Sequence, residues 1–275
     1  MNSNTTMNNR SFFTILIIAL CMDQGLAYIS YLQRFKVTDT TRNFPQLSMV
    51  AEDDSDCKRV IVIGNGMVGQ RFLENMIRYD TQRKFKLTTF CEEPRAAYNR
   101  VKLTSYFETM DPSAISMTGK YDHDGKTSWY QENGVEIFIN DKVVAMDIQS
   151  KTVTSQNGKV LSYDSAIIAT GSLPFVPPIP GRNRQGVFVY RTIEDLDAIT
   201  KYVKDQKVTS AAVIGGGLLG LEAAKAVADL NVKSYILEHG PILMGRQIDQ
   251  GGHNALVEKI ESLGLTVKCK IDSNL

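Results

Sequence analysis

The sequence is poor in the residues that build metal sites and disulfides. Its 275 residues include four cysteines, none of them in a C-x-x-C pair: Cys21, Cys57, Cys91 and Cys269. Such wide spacing excludes a zinc site, a dithiol redox centre and an iron–sulfur ligand set within the chain. Three histidines occur, each in a loop or surface context: His123, His239 and His253. We therefore predict no metal site and no catalytic side chain.

The sequence also lacks a dominant charge and a membrane-length apolar run. The formal net charge is +1, from 31 basic and 30 acidic residues, which gives no basic tail for nucleic acid. The N-terminal apolar run Phe12–Met22 is shorter than the roughly 20 residues that span a bilayer. With 43% hydrophobic and 22% charged residues, the composition is typical of a globular protein of one or two domains.

Residues 1–56 differ from the rest and are interpreted as a targeting or disordered leader. Arg10 precedes the apolar run, Gly25-Leu26-Ala27 offers a small-x-small cleavage site, and residues 28–50 contain one acid among several basic residues and threonines. A signal followed by a transit-type stretch resembles the two-part leaders of algal plastid proteins. The expected location is organellar, a plastid or a mitochondrion, with the cytoplasm as the alternative.

The remaining chain opens with a strand, a glycine turn and a helix. Val60–Ile63 lead into the run GNGMVG at residues 64–69, and a helical pattern follows. In this order the G-x-G-x-x-G pattern indicates dinucleotide binding. Gly64 allows the tight turn, Gly66 lets a pyrophosphate approach the backbone, and Gly69 lets the helix pack on the strand. The pyrophosphate would lie at the positive end of the helix dipole.

Acidic and basic residues follow the second predicted strand, Phe85–Phe90. Glu92 lies 23 positions after Gly69, close to the roughly 20 expected of an acid that binds the adenosine ribose. Pro94 ends the strand, and basic residues follow it. Among these, Arg100 is predicted to contact the cofactor.

Short β-rich segments between residues 135 and 161 predict a small antiparallel excursion, with Asn157-Gly158 as a hairpin signal. The next strand ends at Thr170-Gly171, where small residues leave room for a cofactor. Four prolines between residues 174 and 180 predict a stiff linker. We therefore predict a first domain over residues 57–180 and a second over residues 181–275.

The strand, glycine turn and helix occur again in the second domain, after a capping box at Thr192–Asp195. Ala211–Ile214 lead into GGGLLG at residues 215–220, and the strand after the helix ends at Glu238, 18 positions beyond Gly220. An acid at this place accepts hydrogen bonds from an adenosine 2′-hydroxyl and repels a 2′-phosphate. The pattern predicts NADH in preference to NADPH, although the nearby cations His239 and Arg246 weaken this preference.

Two such fingerprints in one chain predict two cofactors that exchange electrons. The predicted fold class is α/β, with two Rossmann-like dinucleotide-binding domains, FAD then NAD, the second of them incomplete. A nicotinamide nucleotide would reduce a bound FAD, while the protein aligns the two and excludes water.

Six stretches of the sequence carry a family resemblance: VIGNGMVG, FCEEPRAAYNRVKLTSYF, WYQENGVEIFINDKVVAMD, YDSAIIATGSLPFVPPIPG, GVFVYRTIEDLDAI and VIGGGLLGLEAA. Together they resemble the N-terminal flavoprotein region of NAD(P)H-dependent assimilatory nitrite reductase, large subunit, over about residues 57–275. In that family the FAD and NADH domains feed an iron–sulfur cluster and sirohaem that reduce nitrite. The resemblance implies an NAD(P)H-dependent flavoprotein oxidoreductase that passes electrons to such a domain or to an acceptor protein, and it is compatible with a homodimer.

The resemblance also implies which residues touch the cofactors. The predicted FAD contacts are Gly64, Gly66, Met67, Gly69, Glu92, Glu93, Arg100, Val144, Thr170 and Gly171. The predicted contacts of NADH, with NADPH as the alternative nucleotide, are Gly215, Gly217, Leu219, Gly220, Glu222 and Glu238. Glu222 matches a position that often faces the nicotinamide in related reductases.

Three alternatives remain open. A disulfide or CoA-disulfide reductase needs a thiolate beside the flavin, and the segment Tyr98–Tyr106 has no cysteine. A ferredoxin-type or rubredoxin-type NADH reductase would use a separate protein as electron acceptor. The sequence ends at Leu275, where the family's chain continues into the returning flavin segment and the cluster and sirohaem regions. The third alternative is therefore a non-enzymatic nucleotide sensor or an inactive truncated fragment. This chain alone is not expected to reduce nitrite.

Overall fold

The computed structural model describes residues 57–271 and, before them, the backbone of two short strands, Thr14–Ile18 (β1) and Lys36–Val37 (β2). The rest of the predicted leader lies outside the described residues. The chain divides into two units. The first unit comprises residues 24–102 and 109–173, and the second unit comprises residues 1–23, 103–108 and 174–275.

A parallel four-stranded sheet in the order β5-β4-β3-β9 forms the centre of the first unit. Its strands are Lys58–Ile63 (β3), Phe85–Phe90 (β4), Val135–Phe138 (β5) and Ser165–Ile168 (β9). Alternate residues of β3 enter two cores: Val60 and Val62 pack with Leu73, whereas Ile61 and Ile63 pack with Phe90. Apolar side chains on both faces are typical of a parallel strand that is covered on both sides.

Beside this sheet, the first unit has a second sheet and two helices. The helices are Met67–Tyr79 (α1) and Ser128–Glu132 (α3), and short 3₁₀ helices span Arg100–Lys102 and Pro112–Ile115. Val143–Asp147 (β6), Thr152–Ser155 (β7) and Val160–Ser162 (β8) are antiparallel neighbours, and β2 pairs in parallel with β6 at the edge. The predicted antiparallel excursion is confirmed.

The second unit contains a five-stranded parallel sheet in the order β10-β1-β11-β12-β13. Beyond β1, its strands are Val187–Val189 (β10), Ser210–Ile214 (β11), Lys233–Leu237 (β12) and Thr266–Lys268 (β13). Its helices are Leu103–Thr109 (α2), Ile193–Gln206 (α4), Leu218–Ala228 (α5) and Gln250–Ser262 (α6). The capping box predicted at the start of α4 is present, because Thr192 and Asp195 each accept a hydrogen bond from the other's backbone N–H.

Two segments join the second unit from distant parts of the sequence. β1, from the region interpreted as a leader, pairs with both β10 and β11. α2 follows the first glycine turn in sequence, yet its Tyr106 hydroxyl donates to Asp197 Oδ1 at 2.6 Å and its Phe107 ring stacks on Tyr190. The units separate between residues 173 and 174, at the beginning of the proline-rich segment.

The described residues contain neither a candidate membrane-spanning helix nor a candidate metal-binding cluster. None of the helices in this part of the chain combines the length and the apolarity that a membrane span requires. No group of three or more His, Cys, Asp or Glu side chains there is arranged to bind a metal ion.

Candidate functional site

The first glycine turn joins β3 to α1. Gly64 has a φ of +104°, and a Cβ there would lie 2.4 Å from the carbonyl oxygen of Ala169. A Cβ at Gly69 would lie 2.0 Å from the Gly64 oxygen, whereas a Cβ at Gly66 would meet no atom within 4 Å. Two of the glycines therefore allow close packing, and the third borders open space into which a pyrophosphate fits.

The second glycine turn, between β11 and α5, shares a positive φ at its first glycine and open space at its N-cap glycine with the first turn. Gly215 has a φ of +113°, and a Cβ at Gly217 would meet nothing within 4 Å. At Gly216, between them, a Cβ would lie 2.5 Å from Leu243 Cδ2 and 2.9 Å from Glu238 Oε2. The open side of this turn also fits a pyrophosphate, while the middle glycine is needed for packing against Glu238.

The helices after the two turns begin without a side-chain cap. Gly66 and Gly217 are the N-cap residues of α1 and α5, and neither helix has an acid in its first turn. In the same chain, Thr192 caps α4 and Asp249 caps α6. A helix N-terminus carries backbone N–H groups and a partial positive charge that favour an anion. The two uncapped helices are therefore suited to bind an external anion such as a pyrophosphate.

Charged residues follow β4 at the carboxyl end of the first sheet. The exposed Glu92 carboxylate lies 3.1 Å from Lys142 Nζ. Glu93 accepts a hydrogen bond from the Tyr98 hydroxyl at 2.6 Å and pairs with the Arg100 guanidinium, which lies 5.0 Å from the centre of the Tyr98 ring. Burial acts to lower the pKa of Arg100, but Tyr98 and Glu93 outweigh it and raise that pKa above its ordinary value. The Arg100 charge is thus held by Glu93 rather than free in solvent.

The other predicted flavin contacts lie in three places. Met67 is the first residue of α1. The chain beyond β9 packs on the first glycine turn, with Thr170 Cα 3.0 Å from the position of a Cβ at Gly64, and Gly171 has a φ of +69°. Val144 lies in β6, where the register with β7 shifts. The structure therefore brings Thr170 to the turn, and it places Val144 in the adjoining antiparallel sheet.

At the second turn, the Glu238 carboxylate is bonded to backbone on both oxygens. The N–H of Gly216 donates to Oε2 at 2.5 Å, and the N–H of Gly240 donates to Oε1 at 2.6 Å. Sequence reasoning identified the acid but missed Gly216 as its partner. The signal was available, because three consecutive glycines occur where the motif requires two.

Glu222 and Leu219 lie on α5, directly beyond the second turn. Burial raises the pKa of the Glu222 carboxyl above its usual value. Burial also raises the pKa of Tyr190 to about 12, and Glu222 adds to that rise, while the hydrogen bond to Thr104 acts against it. The hydroxyls of Tyr190 and Thr104 are 3.2 Å apart. Glu222 therefore lies near enough to Tyr190 for its charge to influence the Tyr190 hydroxyl.

The comparison with known proteins identifies the family. Residues 58–273 match the pyridine nucleotide-disulphide oxidoreductase family. The chain belongs to this family. Its membership confirms the predicted fold class and the predicted cofactor pair, FAD with a nicotinamide nucleotide.

Individual relatives match over most of this chain. It is 42% identical over 209 residues to the nitrite reductase (NADH) large subunit of Escherichia coli (strain K12), covering 76% of this chain and 24% of that protein. It is 34% identical over 219 residues to the assimilatory nitrate reductase electron transfer subunit of Bacillus subtilis (strain 168), covering 78% of this chain and 27% of that protein. The chain spans about a quarter of the length of these relatives.

A solved structure shows the same fold. NADH:rubredoxin oxidoreductase from Clostridium acetobutylicum superposes with a TM-score of 0.66 at 23% identity, covering 78% of this chain and 53% of that chain.

Proposed function

We propose that the chain is the electron-input module of a nitrite reductase-like oxidoreductase. FAD binds at the first glycine turn, NADH binds at the second, and electrons leave toward an iron–sulfur and sirohaem centre outside these residues. The observation that carries this proposal is the pair of glycine turns with open space at Gly66 and Gly217, each followed by a helix without a side-chain cap. The similarity to nitrite reductase (NADH) large subunit supports nitrite as the final acceptor of these electrons.

The chain's own residues have distinct roles in this proposal. FAD, when bound, supplies the chemistry that converts hydride transfer into electron transfer. The N-terminus of α1 binds its pyrophosphate, and Glu92 accepts hydrogen bonds from its ribose. Glu238, held by two backbone N–H groups, accepts hydrogen bonds from the ribose of NADH and repels a 2′-phosphate. Glu222 lies two residues beyond Gly220, on α5, and would face the nicotinamide.

The test uses the full chain with added FAD. We expect flavin fluorescence to be quenched on binding, NADH to bleach the bound flavin faster than NADPH does, and the loaded protein to reduce ferricyanide. A folded chain that leaves free FAD fluorescence unchanged would contradict the proposal and favour an inactive fragment.

The second candidate is an NADH reductase for a small redox protein, and the match to NADH:rubredoxin oxidoreductase favours it at the level of fold. Supplying the loaded chain either with rubredoxin or with a separately prepared iron–sulfur and sirohaem domain separates the two. Faster turnover with rubredoxin would favour the second candidate.

A further inference from the structure

Three buried polar side chains meet directly behind the first glycine turn. Asn65, Gln70 and Tyr130 are each exposed by 5% or less. Asn65 Oδ1 accepts hydrogen bonds from the Ala97 N–H at 2.8 Å and from the Tyr130 hydroxyl at 3.0 Å. The same hydroxyl lies 2.7 Å from Gln70 Oε1. The side chain of Asn65 is thus turned into the interior, while the next residue, Gly66, borders open space.

The donors and acceptors of this cluster are matched. The Ala97 N–H fixes Oδ1 of Asn65 as the acceptor, which leaves Nδ2 to donate to Gln70 Oε1 at 3.5 Å. A phenol has one proton, so Tyr130 donates to one of its two neighbouring oxygens at a time. Burial raises the pKa of Tyr130, which keeps that proton in place at physiological pH.

The carboxamide of Asn65 connects segments that are distant in sequence. Tyr130 lies in α3, 65 positions away, and Ala97 lies 32 positions away in the stretch that leads to Tyr98 and Arg100. A buried polar group left without a partner is unfavourable, so this cluster favours one arrangement of the three segments over its alternatives.

We propose that Asn65 and Tyr130 are positioning residues for FAD, because they hold the first glycine turn and the segment of Arg100 in register before the cofactor binds. The inference rests on the proposed function, which makes FAD the ligand of this turn. A preformed turn binds a pyrophosphate without the cost of ordering the loop. The two side chains act through Gly66 and Arg100 and do not touch the cofactor themselves.

The test compares two conservative variants of the full chain. Tyr130→Phe removes one oxygen and keeps the ring in the core. Tyr163→Phe is the matched control, since Tyr163 is also buried in the first unit and its hydroxyl lies 3.4 Å from the backbone oxygen of Asp147. From quenching of flavin fluorescence, we expect the dissociation constant of FAD to rise about tenfold in Tyr130→Phe, a loss of about 1.4 kcal/mol, and to stay within about twofold in Tyr163→Phe.

A second measurement needs no cofactor. Hydrogen exchange of the Ala97 amide should accelerate in Tyr130→Phe and in Asn65→Ser, and should stay slow in Tyr163→Phe. A lower melting temperature with unchanged FAD affinity and unchanged Ala97 exchange would overturn the inference and leave an ordinary core contact. Failure of the wild-type chain to bind FAD would instead overturn the proposed function, and with it the ligand named here.

Discussion

At the second glycine turn, single atoms fix the position of the Glu238 carboxylate. The Glu238 carboxylate can lie against the turn because Gly216 has no Cβ, and two backbone N–H groups hold it there. Charge-assisted hydrogen bonds of this kind are stronger than neutral ones. In the proposed function, this fixed negative charge repels a 2′-phosphate and so favours NADH.

Gly216→Ala is expected to displace that carboxylate and to reduce the preference for NADH. We expect the ratio of the NADPH to the NADH dissociation constant to fall about tenfold, equivalent to about 1.4 kcal/mol, as measured by nucleotide fluorescence. Gly251→Ala is the control, because a Cβ there would meet only Asp249 Oδ1, at 3.5 Å. An unchanged ratio in Gly216→Ala would show that Glu238 does not discriminate between the nucleotides.

Because of Glu222, we expect the stability of the chain to depend on pH. Its folded-state pKa is raised by burial, so the folded state holds the proton to higher pH than the unfolded state does. Ionisation of Glu222 therefore lowers stability as the pH rises above the pKa that this carboxyl has in the unfolded chain. Glu222→Gln should melt at a higher temperature than the wild type at pH 7 but not at pH 4, and it should bind NADH more weakly at pH 7. An equal melting difference at both pH values would contradict the electrostatic cause.

Residue-scale features could be predicted only where their cause is local. The glycines and the acid Glu238 follow from spacing alone. Arg100 was predicted from its sequence position to contact the cofactor. Its pairing with Glu93 could not be predicted, because it depends on how the chain folds after β4. The contact between Tyr130 and Asn65 could not be predicted, because the two residues are 65 positions apart and nothing near either of them in sequence indicates the other.

At the scale of elements, the strands and helices were predictable but their starts were not. The sequence predicts that each helix follows its G-x-G-x-x-G run, after residues 69 and 220, whereas α1 begins at Met67 and α5 at Leu218. Each helix begins three residues earlier than predicted, because the last three residues of G-x-G-x-x-G form its first turn. The insertion of β1 between β10 and β11 was not predictable, since strand pairing over nearly 200 residues leaves no local pattern.

A side-chain cap introduced at the start of α5 should raise stability while it abolishes NADH binding. Gly217 has an extended backbone, with φ −83° and ψ 177°, and open space at its Cβ position, so aspartate fits there as an N-cap. Gly217→Asp should raise stability by a few tenths of a kcal/mol, by about the margin of aspartate over glycine at an N-cap. Its carboxylate would occupy the site of the pyrophosphate, so NADH binding should be lost while FAD binding persists.

Gly66→Asp is the matched partner of that variant and should give the reverse result, with FAD lost and NADH retained. Melting curves and fluorescence titrations of both variants provide the check. Full NADH affinity in Gly217→Asp would contradict an anion site at α5.

At the scale of the whole molecule, the two units should respond to different ligands. Each unit has its own parallel sheet and its own glycine turn. A ligand at 100 times its dissociation constant stabilises the state that binds it by about 2.7 kcal/mol. FAD should therefore slow hydrogen exchange between β3 and α1, and NADH should slow it between β11 and α5.

The two aspartate variants make this prediction specific. Gly66→Asp should abolish protection by FAD and leave protection by NADH, and Gly217→Asp should do the opposite. Because each variant disables one turn and leaves the other intact, the experiment assigns each nucleotide to its unit without depending on turnover or on the final electron acceptor. If FAD protected the segment between β11 and α5, the order of the two cofactors along the chain would be wrong. If NADH still protected that segment in Gly217→Asp, the anion site at the start of α5 would be contradicted.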